Sequence, residues 1–140
     1  MIMPFEYYIN EVKVEKQSPN SQKAIALMKK SIRRIEHVKT QTLNVEDAEF
    51  LFEDIYESIR EAGQALMALK GYKPLSHEAV IAFVRDIYKI DAEKINRFDR
   101  YRKIRNKLVY EADKISIDDV KEALQFALAF VPELNKLLKF

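Results

Sequence analysis

Apolar residues recur at spacings of three and four along most of the chain, a pattern typical of amphipathic α-helices. Polar breaks divide this pattern into six segments, and they lie near residues 17–19, 42–44, 71–75, 91 and 113–115. The segments are predicted to begin near Pro4, Ser18, Asn44, Ser76, Ala92 and Ser116. No strand-like alternation of useful length occurs. Together these features predict an all-α, up-and-down antiparallel bundle of four to five main helices plus a short N-terminal helix.

Residues at the segment ends support these boundaries. The first segment is predicted to continue to Lys16. Ser18 followed by Pro19 is typical of a helix cap and first helical position. Asn44 is the cap candidate of the third helix, and Gly71 is the glycine expected just after its last turn. The fifth helix is predicted over residues 92–110.

The apolar stripes of these helices predict the core. The second helix carries the stripe Ile25, Met28, Ile32, Ile35 and Val38. In the sixth helix, Pro132 is expected to bend or interrupt the helix, because proline lacks a backbone N–H. The C-terminal stretch is very apolar and is interpreted either as the central helix of the bundle or as part of a dimer interface; it includes Phe126, Phe130 and Phe140.

Length and composition limit the class of protein. A chain of 140 residues suffices for one domain, predicted here as a single helical bundle over residues 1–140. Its two glycines are too few for an all-β sandwich or for a glycine-rich phosphate loop. The absence of cysteine excludes disulfides and cysteine-ligated metals. No run of 18 apolar residues and no signal-peptide pattern occurs, so we predict a cytoplasmic protein without a membrane partner.

The near-neutral total charge conceals a concentrated basic segment. Residues 94–107 hold seven of the 24 basic residues and one of the 22 acidic ones, which gives this segment a charge of +6. The remaining 17 basic and 21 acidic residues leave the rest of the chain at −4. Phe98 and Tyr101 lie among the basic residues, which suits phosphate contact with base stacking. Alternatively, the segment is a solvated face that pairs with acids on neighbours such as Glu53, Asp54, Glu57 and Glu61.

Arg105 does not follow the pattern of its helix. At about 100° per residue, it falls near the middle of an apolar arc, between the directions of Phe98 and Leu108. Arg102 and Asn106 lie at one edge of this arc. Burial of an unpaired guanidinium is costly, so Arg105 must have an acidic partner, face a cleft or meet a second subunit. Arginine at such a position also suits bidentate binding of phosphate.

The remaining polar residues suggest no metal or cofactor site. His37 is expected at a helix end and His77 in a helix first turn, both in structural roles. The two histidines do not form an HExxH motif, and the acids of the third helix lack the Glu-x-x-His pairs of a di-iron bundle. We therefore predict no metal ligands and no cofactor.

The stretch Arg102–Tyr110, with the sequence RKIRNKLVY, resembles the signature of HEPN domains. These are all-α domains of prokaryotic nucleotide-linked and toxin–antitoxin systems. The run ALKGYKPLSHEAV over residues 68–80 and the helix order resemble archaeal members. The resemblance implies a homodimer with the motifs of both subunits in one cleft, and a nucleotidyltransferase as a possible partner. It implies a ligand site of Arg102, Arg105, Asn106 and Tyr110, with Arg105 and Tyr110 as the candidate catalytic residues.

The chain departs from the family pattern at the motif histidine. Active members resemble metal-independent ribonucleases in which histidine acts on the 2′-hydroxyl while arginine steadies the phosphate. Tyr110 occupies the histidine position here, and no histidine follows His77. Tyrosine titrates near pH 10 and is a poor general base at neutral pH. His77 could replace the missing group only if the fold brought it close.

Three hypotheses follow from the sequence. The first is a dimeric HEPN-like module that binds RNA, a nucleotide or a nucleotidyltransferase partner, with weak or lost ribonuclease activity. The second is an active, metal-independent, toxin-like endoribonuclease that uses the same groove. The third is a helical adaptor without a nucleic-acid role, whose basic helix is neutralised by intramolecular acids. A steep salt dependence of binding would distinguish phosphate recognition from an apolar adaptor interface.

Overall fold

Helices make up most of the structure. A computed structural model describes residues 1–139, so Phe140 lies outside the described residues. Within them are six helices: α1 (Phe5–Asn10), α2 (Ser21–Lys39), α3 (Ala48–Lys70), α4 (His77–Tyr88), α5 (Ala92–Tyr110) and α6 (Ile117–Lys136). The two strands of the described part are β1 (Val14–Lys16) and β2 (Tyr72–Pro74), which pair antiparallel. The predicted all-α bundle is confirmed, with this small sheet added to it.

α3 lies at the centre of the bundle. It contacts α2, α4, α5 and α6, and most of its side chains are buried in a core to which every helix contributes. α2 runs antiparallel to α3: the Ser31 hydroxyl donates to the Ser58 carbonyl at 2.6 Å, and the Asn20 N–H donates to the Ala68 carbonyl at 3.0 Å. Within residues 1–139, no helix is both long enough and apolar enough to cross a membrane.

α6 also belongs to the core. Phe126 and Phe130 are buried, which confirms the core interpretation of this stretch, although α3 is the central helix. Pro132 does not interrupt α6, which continues for four residues beyond it, so the predicted interruption is wrong. Val131 and Leu134 are fully buried on either side of the proline, and their packing stabilises the turn that lacks one backbone hydrogen bond.

The buried face of α2 differs from the predicted stripe at two of its five positions. Ala24 and Ser31 are buried, whereas Ile25 and Ile32 are only half-buried. Ser31 is buried because its hydroxyl pairs with Ser58 across the contact with α3, where two small side chains allow a close approach. The other members of the predicted stripe are buried as expected: Met28, Ile35 and Val38.

Two of the predicted helix starts were wrong. α2 begins directly after Asn20, whose side-chain oxygen accepts the Lys23 N–H at 2.9 Å, and not after Ser18. Asn44 accepts the Asp47 N–H at 2.9 Å and so caps a turn, while α3 begins directly after Asp47. The side chains of Asn20 and Asn44 thus make the same kind of hydrogen bond, but only Asn20 directly precedes a helix. The predicted starts of α4, α5 and α6 are confirmed.

The first segment is not one helix as far as Lys16. α1 ends at Asn10, and Val12 adopts a left-handed conformation with φ 56° that turns the chain back. The Lys13 carbonyl then accepts the Leu75 N–H at 2.8 Å, and β1 pairs with β2. The N-terminal segment is thereby tied to the connection between α3 and α4.

The start of α4 positions the candidate site. Gly71 ends α3 in the left-handed conformation, with φ 88°, as predicted. Ser76 is the cap of α4, and its hydroxyl accepts a backbone N–H three residues on at 3.2 Å. At Gly63 of α3, an added Cβ would lie 2.5 Å from a methyl group of Val80, so this glycine permits α4 to pack closely against α3. His77, the first residue of α4, is consequently held beside α3.

Candidate functional site

The first half of α5 is neutralised by α6. Lys94 Nζ lies 2.8 Å from a Glu133 carboxylate oxygen, and the Arg97 guanidinium donates to Glu122 at 3.0 Å. Arg100 lies 3.5 Å from the same Glu122 oxygen. A groove of about 600 Å³ lies between these parts of α5 and α6, and the first two ion pairs join its sides. These three cations are already paired with acids inside the protein.

The acids expected to neutralise α5 are used elsewhere. Within the described residues, Glu53, Asp54, Glu57 and Glu61 form no ion pair with α5. Arg34 of α2 instead contacts Asp54 at 3.2 Å and Glu61 at 2.8 Å. Asp54 and Glu61 therefore hold α2 to α3. The cations at the start of α5 pair with glutamates of α6 instead of the acids that the sequence suggested.

Arg102 occupies the middle of α5 and is also paired. Its guanidinium donates to Asp99 at 2.8 Å and lies 3.7 Å from Glu78 of α4. Only 12% of its side chain is exposed. The Tyr8 hydroxyl donates to Glu78 at 3.4 Å, so the contacts of Arg102 extend through α4 to α1. With two carboxylates beside it, this residue connects helices and is less available to an external anion.

Arg105 differs from the other arginines of α5. In the part of the chain that the structure describes, it has no carboxylate oxygen within 4.0 Å. Its Nη1 lies 3.5 Å from the Asn106 side-chain oxygen, and its guanidinium carbon lies 5.9 Å from the centre of the Tyr110 ring. Arg105 and Asn106 are half-buried, whereas Tyr110 is 75% exposed. Within residues 1–139 no acid therefore compensates this partly buried cation.

His77 lies in the electrostatic field of Arg105. Its Nδ1 is 2.9 Å from the Tyr56 hydroxyl, and the two rings stack with their centres 5.6 Å apart. Burial lowers the pKa of His77 to about 4, and the charges of Arg60 and Arg105 act in the same direction against the opposing Glu57. Burial raises the pKa of the Tyr56 hydroxyl. Both side chains are therefore uncharged at neutral pH.

Arg60, the second arginine whose charge acts on His77, is held by two neighbours on α3. Its guanidinium donates two hydrogen bonds to the Glu57 carboxylate, one of them at 3.1 Å, and a third to Gln64 at 2.7 Å. Burial alone would raise the pKa of Glu57, but the hydrogen bonds from Arg60 outweigh it and the pKa is lowered. The pair thus stays ionised across the neutral range, with Arg60 close enough to act on His77.

The charges of three arginines act on one phenol and one imidazole, and we call this set, contributed by α3, α4 and α5, the Arg105 face: Tyr56, Arg60, His77, Arg102 and Arg105. The candidates Asn106 and Tyr110 adjoin it through their contacts with Arg105. The sequence analysis missed Tyr56 and Arg60. Their spacing of four on α3 places them one turn apart, but nothing in the sequence relates that turn to the start of α4.

The donor set of this face does not suit a metal. Within residues 1–139, no group of three or more His, Cys, Asp or Glu side chains could hold a metal ion. The face combines cationic side chains with a neutral imidazole and phenol, a combination suited to an anion.

Comparisons with models of protein families, with curated proteins and with solved structures found no match to this chain. The resemblance to HEPN domains therefore rests on the residues that carry it, the signature over 102–110 and the run over 68–80.

Proposed function

We propose that the chain is a HEPN-like module that forms a homodimer in the cytoplasm and binds a phosphate group of RNA or of a nucleotide at Arg105. The observation that carries this proposal is a half-buried guanidinium without an acid partner among the described residues. A guanidinium binds two phosphate oxygens through parallel N–H donors, and such charge-assisted bonds are strong in a partly desolvated site.

The neighbours of Arg105 favour a nucleic acid over a simple anion. Tyr110 exposes an aromatic ring next to the guanidinium, and an exposed ring can stack on a base. Asn106 adds an amide at the edge of the same surface. Arg102 contributes by holding α5 to α4, because its own charge is already paired. A nucleotidyltransferase-type protein is the partner that the family resemblance adds to this proposal.

The test compares two arginines of α5 that differ in pairing. Binding of a short single-stranded RNA is measured in EDTA for wild type, Arg105→Ala and Arg100→Ala. We expect Arg105→Ala to weaken binding roughly 10- to 100-fold, the effect of one lost charge-assisted contact. Arg100→Ala removes the same charge from an exposed residue paired with Glu122, so its effect should stay within about threefold.

Several outcomes would contradict this proposal. Equal losses in the two variants would mean that RNA responds only to total charge. Binding that does not weaken between about 50 and 200 mM salt would favour the adaptor hypothesis, because phosphate binding releases counterions. Sedimentation of the same sample checks the oligomeric state, and a monomer at micromolar concentration would overturn the dimer.

A second function, metal-independent cleavage of RNA, is favoured by one observation. The supporting observation is that the charge of Arg105 acts on His77, whose imidazole is neutral. Its low pKa makes it a weak base in the free protein, so we expect slow cleavage at most. Cleavage in EDTA should be lost in Arg105→Ala and in His77→Gln, and retained in Tyr110→Phe. Loss of cleavage in Tyr110→Phe alone would instead place the proton transfer on the tyrosine.

A further inference from the structure

His77 has one ring nitrogen free. Its Nδ1 is held by the Tyr56 hydroxyl at 2.9 Å, while its Nε2 makes no hydrogen bond within residues 1–139. The ring is half-buried and fixed by its stacking on Tyr56, at the start of a helix whose N-terminus favours negative charge. A neutral imidazole in this state can take up one proton, provided that the surrounding charge changes.

Burial and the charged groups around His77 together keep it without a proton in the free protein. Two contacts bring α5 to this end of α4: Arg102 lies 3.7 Å from Glu78, the residue after His77, and the Phe98 ring centre lies 6.2 Å from that of Tyr56. Arg105 shares the direction of Phe98 and Arg102 on α5. The charges that act on His77 are those of Glu57 and Arg60 of α3 and of Arg102 and Arg105 of α5, and Tyr56 is in direct contact with it. Its neighbour Glu78 contacts Tyr8 and Arg102. The carboxylate of Glu57 is bound by Arg60, and Arg105 has no acid partner within residues 1–139, so positive charge prevails around the ring.

We propose that binding of a phosphodiester at Arg105 is coupled to uptake of one proton from solvent by His77, which then becomes a second cation facing the phosphate. The negative charge of the ligand offsets the arginine charges that disfavour the imidazolium. No covalent bond forms or breaks: imidazole and a solvent proton give imidazolium. The inference rests on the proposed function, since it requires that the anion be bound beside Arg105.

Proton uptake gives binding a pH dependence of defined sign. The phosphodiester probe should bind more tightly as the pH falls from 7.5 to 5.5, by up to about tenfold per pH unit for a single proton. Glu57, with its lowered pKa, remains ionised over this range. A phosphate monoester is unsuitable as a probe because it titrates near pH 6 itself. A 2′-O-methyl hexauridylate without terminal phosphates avoids that titration and cannot be cleaved through a 2′-hydroxyl.

Nuclear magnetic resonance of the wild-type protein tests the coupling directly. The chain has two histidines, and His37 lies exposed near the end of α2, so it serves as an internal reference. With the probe at saturation, the titration midpoint of His77 should rise by about 1–3 pH units, as for an opposite charge placed a few ångströms away. An unchanged midpoint for His77 would overturn the proposal.

Two variants separate this inference from the proposed function. His77→Gln should lose the gain in affinity at low pH, whereas His37→Gln should keep the pH dependence of wild type. Binding that depends on Arg105 but keeps its full pH dependence in His77→Gln contradicts only the proton coupling. Binding that is insensitive to Arg105→Ala contradicts the proposed function itself. Should His77→Gln fail to fold, the wild-type titration decides the matter.

Discussion

The two halves of α5 carry similar numbers of basic residues but differ in what surrounds them. In the first half, Lys94, Arg97 and Arg100 pair with two glutamates of α6. Near the end of the helix, Arg105 and Lys107 have no ion pair within residues 1–139. Of the seven basic residues in this segment, five are therefore neutralised internally. The local density of charge along the sequence therefore does not indicate which of these cations are paired within the protein.

The boundary between the halves lies at Arg102. Of the changes predicted here, replacing this residue should alter the free energy of unfolding most. Arg102→Met keeps much of the side-chain length but leaves Asp99 and Glu78 without a largely buried partner. We expect a loss of about 1–3 kcal/mol in the free energy of unfolding, measured by urea denaturation. The control Arg100→Met should cost at most about 0.5 kcal/mol, since Arg100 is half-exposed. Equal losses would show that pairing does not distinguish these positions.

Adding an acid to the second half should make it resemble the first. Val109 is 40% exposed and lies four residues after Arg105, the spacing at which helical side chains meet. Val109→Glu would give Arg105 an acidic neighbour, and we expect RNA affinity at low salt to fall about three- to tenfold. Val109→Gln is the matched control for the lost apolar side chain. A similar fall in that control would attribute the effect to shape instead of charge.

The smallest expected effect is acid sensitivity, which follows from the burial of His77 and from the nearby charges of Arg60 and Arg105. The pKa of His77 is about 4 in the folded protein and about 6.5 when unfolded, so the unfolded chain takes up the proton first. Stability should therefore be lost as the pH falls from about 6.5 to 4, with no contribution from His77 above that window. For this half-exposed ring the loss is on the order of 1 kcal/mol or less, because solvent screens it.

Urea denaturation at pH 7.5 and 4.5 measures this contribution. His77→Gln should lose less stability between the two pH values than wild type, and His37→Gln should match wild type. An identical pH dependence in all three proteins would contradict the lowered pKa of His77.

Local pattern was sufficient to predict α5 and the anomaly at Arg105. The helix spans residues 92–110 as its periodicity and flanking residues indicated, and Arg105 breaks the apolar arc by its angle alone. The sequence could not identify the partners of the other cations, because Glu122 and Glu133 face α5 only after α6 has packed. The Arg105 site, including its proposed ligand, stays a prediction.

Tertiary contacts account for the residues that were missed or misplaced. The buried face of α2 follows the hydroxyl contact between Ser31 and Ser58, which hydrophobicity alone would not favour. His77 lies beside α3 because a glycine at position 63 leaves room for Val80. In both cases a small side chain on one helix sets the position of another, and apolar spacing carries no information about that fit.

The short sheet links the beginning of the chain to the site. β1 pairs with β2, and β2 ends two residues before Ser76, the cap of α4. If the strands separate, the backbone before α4 loses the hydrogen bonds between β1 and β2 that fix it. The amide protons of β1 and of the first turn of α4 should therefore exchange with solvent as one cooperative unit, so that local opening near Val14 also releases His77.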